Sequence, residues 1–317
     1  MSILVNKPGI LTTVQDLGRS GFRQFGINQN GAMDKIAVRL INTLLGNAPS
    51  AAVLEMHFPA PEIVFEEAAV FALGGADFSA ALNGEPAENW RMHFAEKGFG
   101  LKFDEKIFGS RAYLSIKEGF KVENWLGSAS TNLKAEIGGF HGRKLKAGDR
   151  ILFNKIAAHK PQPANIRISG SLIPFYSKFP TVRAIAGAEF ESLTAISREN
   201  FQTKNFTITL NSDRMGFRLA GAPLYLLEPK EMVSSAANFG TIQLLPDGQM
   251  IVLMADHQTT GGYPRIANVI ATDLPLLAQL GANEKVAFHL ISQADAEKLQ
   301  VRFEGDLNLM KTAVNLR

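Results

Sequence analysis

Turn signals divide residues 63–153 into short apolar runs at roughly ten-residue spacing: 70–73, 79–82, 92–95, 100–103, 111–116 and 150–153. None is long enough for a multi-turn helix, and the rhythm is that of a β-sandwich or barrel. The chain is therefore expected to be mainly β with a few helices. At 317 residues it exceeds a typical domain of about 150, which points to two domains. The best linker is 155–165, where Lys160-Pro161-Gln162-Pro163-Ala164 sets prolines among polar neighbours, so domains are expected over 1–160 and 161–317.

The clearest helix follows Asp34, which is placed to cap it. Ile36, Ala37, Leu40, Ile41, Leu44 and Leu45 recur at three-to-four spacing before Gly46-Asn47 ends it, and that stripe is core. A short helix is expected after Asp273, with an acidic cap, Pro275 early and Gly281 at its end. A brief one is expected over 293–299, capped by Ser292.

Several function classes lack their parts. No apolar run approaches the ~20 residues of a membrane helix, and Met1-Ser-Ile-Leu-Val-Asn-Lys-Pro has neither the basic nor the apolar segment of a leader. The absence of cysteine excludes thiol catalysis, disulfides and thiolate metal sites, and makes the cytoplasm the simplest compartment. Lys and Arg, 33 in all, are nearly balanced by 30 acidic residues and scattered singly or in pairs, so no nucleic-acid partner is expected. His57, His93, His141, His159, His257 and His289 are nowhere at ligand spacing, and no metal site is expected. Gly74-Gly75-Ala76-Asp77 completes no dinucleotide fingerprint, and Gly138-Gly-Phe-His-Gly-Arg143 no phosphate loop. Both read as tight turns, with Arg143 bordering an anion site as the alternative for the second.

The densest chemistry follows an apolar run without alternation, 250–255, which reads as a buried strand. Asp256-His-Gln-Thr-Thr-Gly-Gly-Tyr-Pro264 is on its residues alone equally a turn or a ligand loop hung on a rigid strand. In the second case Asp256, Gln258 and Tyr263 are the catalytic candidates, with Gln243, Thr259, Thr260, Gly261 and Gly262 binding substrate. Asp256 accepts from an N–H, and the amides of Gly261 and Gly262 face a developing oxyanion, a set suited to a small amide or ureido substrate. Asp16 and Arg19, in a polar loop near the N-terminus, are either a loop-bracing ion pair or further substrate contacts. Asp213, Arg214 and Arg218 carry the same two readings.

The string Ala255-Asp-His-Gln-Thr-Thr-Gly-Gly-Tyr-Pro264, with Gly240-Thr-Ile-Gln243, Asp273-Leu274 and Ala278-Gln279, resembles the signature of the biotin-dependent carboxyltransferase-like family. Thr13-Val-Gln-Asp-Leu-Gly-Arg19, Gly31-Ala-Met-Asp34, Leu45-Gly-Asn47, Ala52-Val-Leu-Glu55 and residues 211–219 also match, so the likeness runs from Thr13 to about Ile291. That family includes the C subunit of bacterial 5-oxoprolinase, the KipA antagonist of KipI, and half of the carboxyltransferase module of urea amidolyase. The resemblance implies two cyclophilin-like β-barrel domains. For activity it implies one component of an ATP-dependent 5-oxoprolinase, working with two partners, a KipI-like subunit and a LamB/YcsF-type subunit, with ATP bound through those partners. Alternatives are a biotin-dependent carboxyltransferase subunit that uses urea and biotin on a separate carrier, or a non-catalytic KipI antagonist. Three positions depart from the family: Ala129 stands for an arginine in Gly127-Ser-Ala-Ser-Thr131, Phe58-Pro-Ala-Pro61 for a Gly-Pro turn, and His257 for a frequent arginine. Lys311 lacks the Met-Lys-Met surroundings of a biotinylated lysine and is not expected to carry biotin.

Overall fold

A computed structural model describes residues 1–154, 166–228 and 232–316; the expected linker over 155–165, and His159 within it, lie outside the described residues. Packing divides the chain into two compact units. One comprises Met1–Arg19, Asn30–Pro174 and Glu304–Arg317, and the other Ser20–Gln29 and Phe175–Phe303.

The first unit carries two antiparallel sheets. Strands in the larger run in the order Arg150–Leu152, Ser2–Lys7, Glu62–Phe65, Gly100–Phe103, Ala80–Leu82 and Glu85–Pro86, and in the smaller Thr12–Gln15, Val53–Met56, Phe108–Ile116, Ala69–Asp77 and Met92–Ala95. Ser2–Lys7 and Glu62–Phe65 alternate, sending Ile3, Val5, Ile63 and Phe65 into a core shared with Leu54, Phe71, Leu114 and Phe153. Ala69–Asp77 is buried almost throughout because the helix Lys35–Leu44 packs on it as well. Asp34 caps that helix as expected, its carboxylate accepting from the Ala37 N–H at 2.8 Å.

Gly74-Gly75 was expected in a turn and instead lies inside Ala69–Asp77. A Cβ on Gly74 would stand 2.6 Å from the Ile41 side chain and 2.8 Å from Trp90, so the glycine is there to let the helix approach.

The second unit closes into a seven-strand barrel in the order Thr181–Ala186, Arg265–Val269, Thr241–Leu244, Met250–Leu253, Gly216–Ala220, Phe206–Ile208 and Lys285–Leu290. The expected mainly β class is borne out. Closure comes from a parallel pairing, Val182 against Phe288, between the first and last of these strands. Inside, Ile242, Val252, Leu219 and Val286 are buried, and Phe201 from the helix Ala195–Thr203 stacks on Phe288 at 5.1 Å. That helix has no apolar stripe strong enough to announce it; its local signal is Thr194, whose hydroxyl accepts from the Ser197 N–H.

Two helix expectations need correction. Leu274–Ala278 forms after Asp273, but the Asp273 carboxylate does not cap it. It binds Arg183, taking the backbone N–H at 2.8 Å, Nε at 2.9 Å and Nη2 at 2.6 Å. The last helix runs Gln293–Asn315, far beyond 299. Most of it is exposed, so no apolar period marks its length, although Ser292 caps it as expected. Lys311 sits within it.

Candidate functional site

Met250–Leu253 pairs with Thr241–Leu244 on one side and Gly216–Ala220 on the other, which fixes where the chain emerges. Beyond it, the Met254 N–H donates to the Met215 carbonyl at 3.0 Å and the Asp256 N–H to the Arg214 carbonyl at 2.8 Å. These bonds set the Asp256 carboxylate against the Arg214 guanidinium in a two-pronged pair, Nε to Oδ2 at 2.9 Å and Nη2 to Oδ1 at 3.1 Å. Both residues are buried. A carboxylate gripped this way anchors its loop, and removal of either member breaks a buried two-pronged pair. Arg218 is exposed, Asp213 accepts from the Met215 and Gly216 N–H groups, and Arg214 pairs with Asp256.

A second anchor comes from Asn28, whose amide donates at 3.0 Å to the carbonyls of both Asp256 and His257. His257 is buried, with Nδ1 2.6 Å from the Gln258 carbonyl. Past these anchors the loop turns outward: Gln258, Thr260 and Tyr263 are exposed, while Thr259 and Gly262 are half-buried. The exposed side chains are the ones open to a ligand.

Gln243 is only 1% exposed. Strand alternation places Thr241 and Gln243 on the face opposite Ile242 and Leu244. Over Gln243 lies a two-stranded ribbon separate from the barrel, in which Ser235 pairs with Gly261 and Ala236 with Thr260. A Cβ on Gly261 would stand 2.4 Å from Gln243 Nε2, so any larger residue there has to push the end of that side chain aside. Nε2 has no hydrogen-bond partner among the described residues. Leaving a buried donor unmatched costs about 1–3 kcal/mol.

The ribbon is tied down by two arginines. Arg23 donates to the Ala237 carbonyl and, at 2.5 Å, to Asn238 Oδ1, with the Thr259 carbonyl at 3.5 Å. Arg265, paired with Glu189 at 3.2 Å, donates to the Ala236 carbonyl at 3.3 Å. Neither Arg23 nor Asn28 was foreseen. Ser20–Gln29 shows no period in the sequence, and nothing local says which strand end it will meet.

Asp16 and Arg19 belong to the first unit, where both bind the 128–130 loop. The Asp16 carboxylate accepts from the Ser128 hydroxyl and the Ala129 N–H at 2.7 Å, the Ser130 hydroxyl at 2.5 Å and the Gly18 N–H at 2.7 Å. Arg19 donates to the Ser130 carbonyl at 2.6 Å and to Asn30 Oδ1 at 2.5 Å, beneath the Trp125 ring. Their bonds brace a loop. In the same unit Glu55, buried, accepts from the Tyr113 hydroxyl at 2.8 Å and the Met33 N–H at 2.9 Å, and burial pushes the Tyr113 hydroxyl well above its usual pKa. The matching strings around Asp34 and Glu55 thus secure the start of the first helix.

Arg143, the candidate for bordering an anion site, is paired with a carboxylate. Its two terminal nitrogens lie 2.7 and 2.8 Å from the Asp149 carboxylate, which that contact holds below its usual pKa, and it covers the Phe140 ring. Among the described residues no three His, Cys, Asp or Glu gather as metal ligands, and no helix is long and apolar enough to cross a membrane.

Comparison with known proteins gives three findings. Residues 25–290 match the carboxyltransferase domain, subdomains A and B. The chain is 38% identical over 306 residues to the 5-oxoprolinase C subunit of Haemophilus influenzae, covering 96% of each, and 37% identical over 295 residues to that of Escherichia coli, covering 92% of each. It superposes on the crystal structure of K. lactis urea amidolyase with a TM-score of 0.91 at 26% identity, over 98% of this chain and 20% of that one.

Proposed function

The chain belongs to the carboxyltransferase domain family of subdomains A and B, and from that premise we propose that it is the C subunit of a 5-oxoprolinase, acting in the ATP-dependent opening of 5-oxoproline to glutamate. The observation that carries this reading is the end-to-end match with two 5-oxoprolinase C subunits, 96% and 92% of either chain. The chain spans 20% of the length of urea amidolyase.

In this reading the second-unit loop receives the lactam. Gln258, Thr260 and Tyr263 supply exposed hydrogen-bonding groups, Gly261 and Gly262 allow close backbone approach, and Asp256 holds the loop through Arg214. The lactam C–N bond breaks, a water oxygen completes the new carboxylate, and the nitrogen takes up a proton to become the amine.

Among the described residues the arginines at the loop are already engaged, Arg214 by Asp256, Arg265 by Glu189, and Arg23 by main-chain and amide oxygens, which favours a triphosphate held elsewhere. We therefore assign ATP to the partners, a KipI-like subunit and a LamB/YcsF-type subunit. A second reading, a carboxyltransferase acting on urea with biotin from a separate carrier, draws on the 0.91 superposition.

The test is reconstitution. ATP and 5-oxoproline turnover is measured with the chain alone, with the KipI-like subunit, and with both the KipI-like and LamB/YcsF-type subunits. The reading expects turnover only in the full mixture. Full activity of the isolated chain removes the partner requirement, and tight pairing without turnover in any mixture favours an antagonist of the KipI-like protein.

A further inference from the structure

Gln243 is the one residue of the candidate loop region whose polar end is buried without a partner among the described residues. Gly261 of the ribbon lies directly against that donor. That ribbon is two residues long on each side, lies outside the barrel's hydrogen-bond ring, and meets Gln243 through a glycine. Among the described residues it is tied by the Arg23 and Arg265 bonds to main-chain carbonyls and by Asn238, which accepts from Arg23 and whose N–H donates to the Thr241 hydroxyl at 3.1 Å, while the Ala237 N–H to Thr259 carbonyl bond, 3.1 Å, lies within the ribbon itself. A buried donor under so short a cover is matched once an acceptor replaces the cover.

We propose that the Gln243 side-chain amide is the binding point for the carbonyl oxygen of an amide or ureido ligand, reached when the Ser235–Ala236 and Thr260–Gly261 ribbon lifts. The inference rests on reading the second-unit loop as the ligand site. Nε2 donates to the ligand carbonyl, and Gly261 keeps the cover thin enough to lie flat when the site is empty. An amine of similar ring size without a carbonyl gains nothing from Nε2, so the point selects for the carbonyl.

The experiment follows the Gln243 side-chain amide resonances of the full chain by NMR, adding 5-oxoproline, proline (the same ring without the lactam carbonyl) and urea. Gln243→Leu is measured alongside by calorimetry. Expected are a shift with 5-oxoproline and none with proline, at least tenfold weaker 5-oxoproline binding in Gln243→Leu, and an unchanged or higher melting temperature because the unmatched donor is gone. Arg23→Ala should speed hydrogen exchange at the Ala237 N–H relative to barrel amides. A shift with urea but not 5-oxoproline keeps the inference and removes the 5-oxoprolinase reading. No shift with either carbonyl compound, or unaltered affinity in Gln243→Leu, overturns the inference whatever the reconstituted complex turns over.

Discussion

Thr12–Gln15 in the first unit and Thr241–Leu244 in the second carry nearly the same words, Thr13-Val-Gln15 and Thr241-Ile-Gln243, and each strand buries its glutamine, at 0% and 1% exposure. Their surroundings differ. Gln15 Nε2 donates to Thr13 Oγ1 at 3.1 Å and the Thr131 carbonyl at 3.3 Å, and the neighbouring Asp16 is filled by serine hydroxyls and amides. Gln243 Nε2 lies against the glycine of a ribbon and has no hydrogen-bond partner among the described residues. The donor of Gln15 is thus matched, although its Oε1 has no hydrogen-bond partner among the described residues, whereas in Gln243 it is the donor that waits.

The largest effect is expected where the second unit's loop is anchored. Asp256→Asn or Arg214→Met breaks a buried pair and should cost about 3–5 kcal/mol of stability, with turnover of the assembled complex falling roughly a hundredfold. The double variant should be little worse than either single one, read by denaturation and kinetics as a double-mutant cycle. Additive losses would mean that the two residues act separately.

In the first unit, Asp16→Ala strands several buried donors and should destabilise by on the order of 3 kcal/mol in a urea titration. A near-neutral result would remove the scaffold half of the contrast. Gly261→Ala forces a methyl onto Gln243 Nε2 and should cost about 1–3 kcal/mol, with Gln243→Ser restoring part of it; both are read as melting temperatures.

The smallest effect is at Arg143. Replacing it with Gln should cost under about 1 kcal/mol at neutral pH, the pair being partly exposed. The folded Asp149 carboxyl titrates below its unfolded value, chiefly because of the Arg143 hydrogen bonds. The pair's contribution is therefore present above the unfolded pKa, near pH 4, and is lost as pH falls through the folded one. The difference between wild type and Arg143→Gln should shrink over that interval.

Strand rhythm and the Ile36–Leu45 stripe were legible because both periods repeat over many residues. Gly74 was misread because its reason is a helix brought against it by the fold. The length of Gln293–Asn315 was hidden because an exposed helix needs no apolar period. At the site, the loop from Asp256 to Tyr263 could be read from residue types clustered in sequence. Its anchors could not: Arg214 lies 42 residues before Asp256 and Asn28 lies 228 before it, brought there by the pairing of Gly216–Ala220 with Met250–Leu253 and by a segment without pattern. The approach of Gly261 to Gln243 was likewise invisible, since it depends on the ribbon's landing place.

The contrast between the two glutamines is tested most directly by the KM for 5-oxoproline of the reconstituted complex carrying Gln243→Leu or Gln15→Leu, with melting temperatures taken on the same samples. The account predicts that Gln243→Leu raises KM at least tenfold without loss of stability, while Gln15→Leu lowers the melting temperature and leaves KM unchanged. A Gln243→Leu complex with wild-type KM, or a Gln15→Leu complex that stays stable and loses affinity, would contradict it.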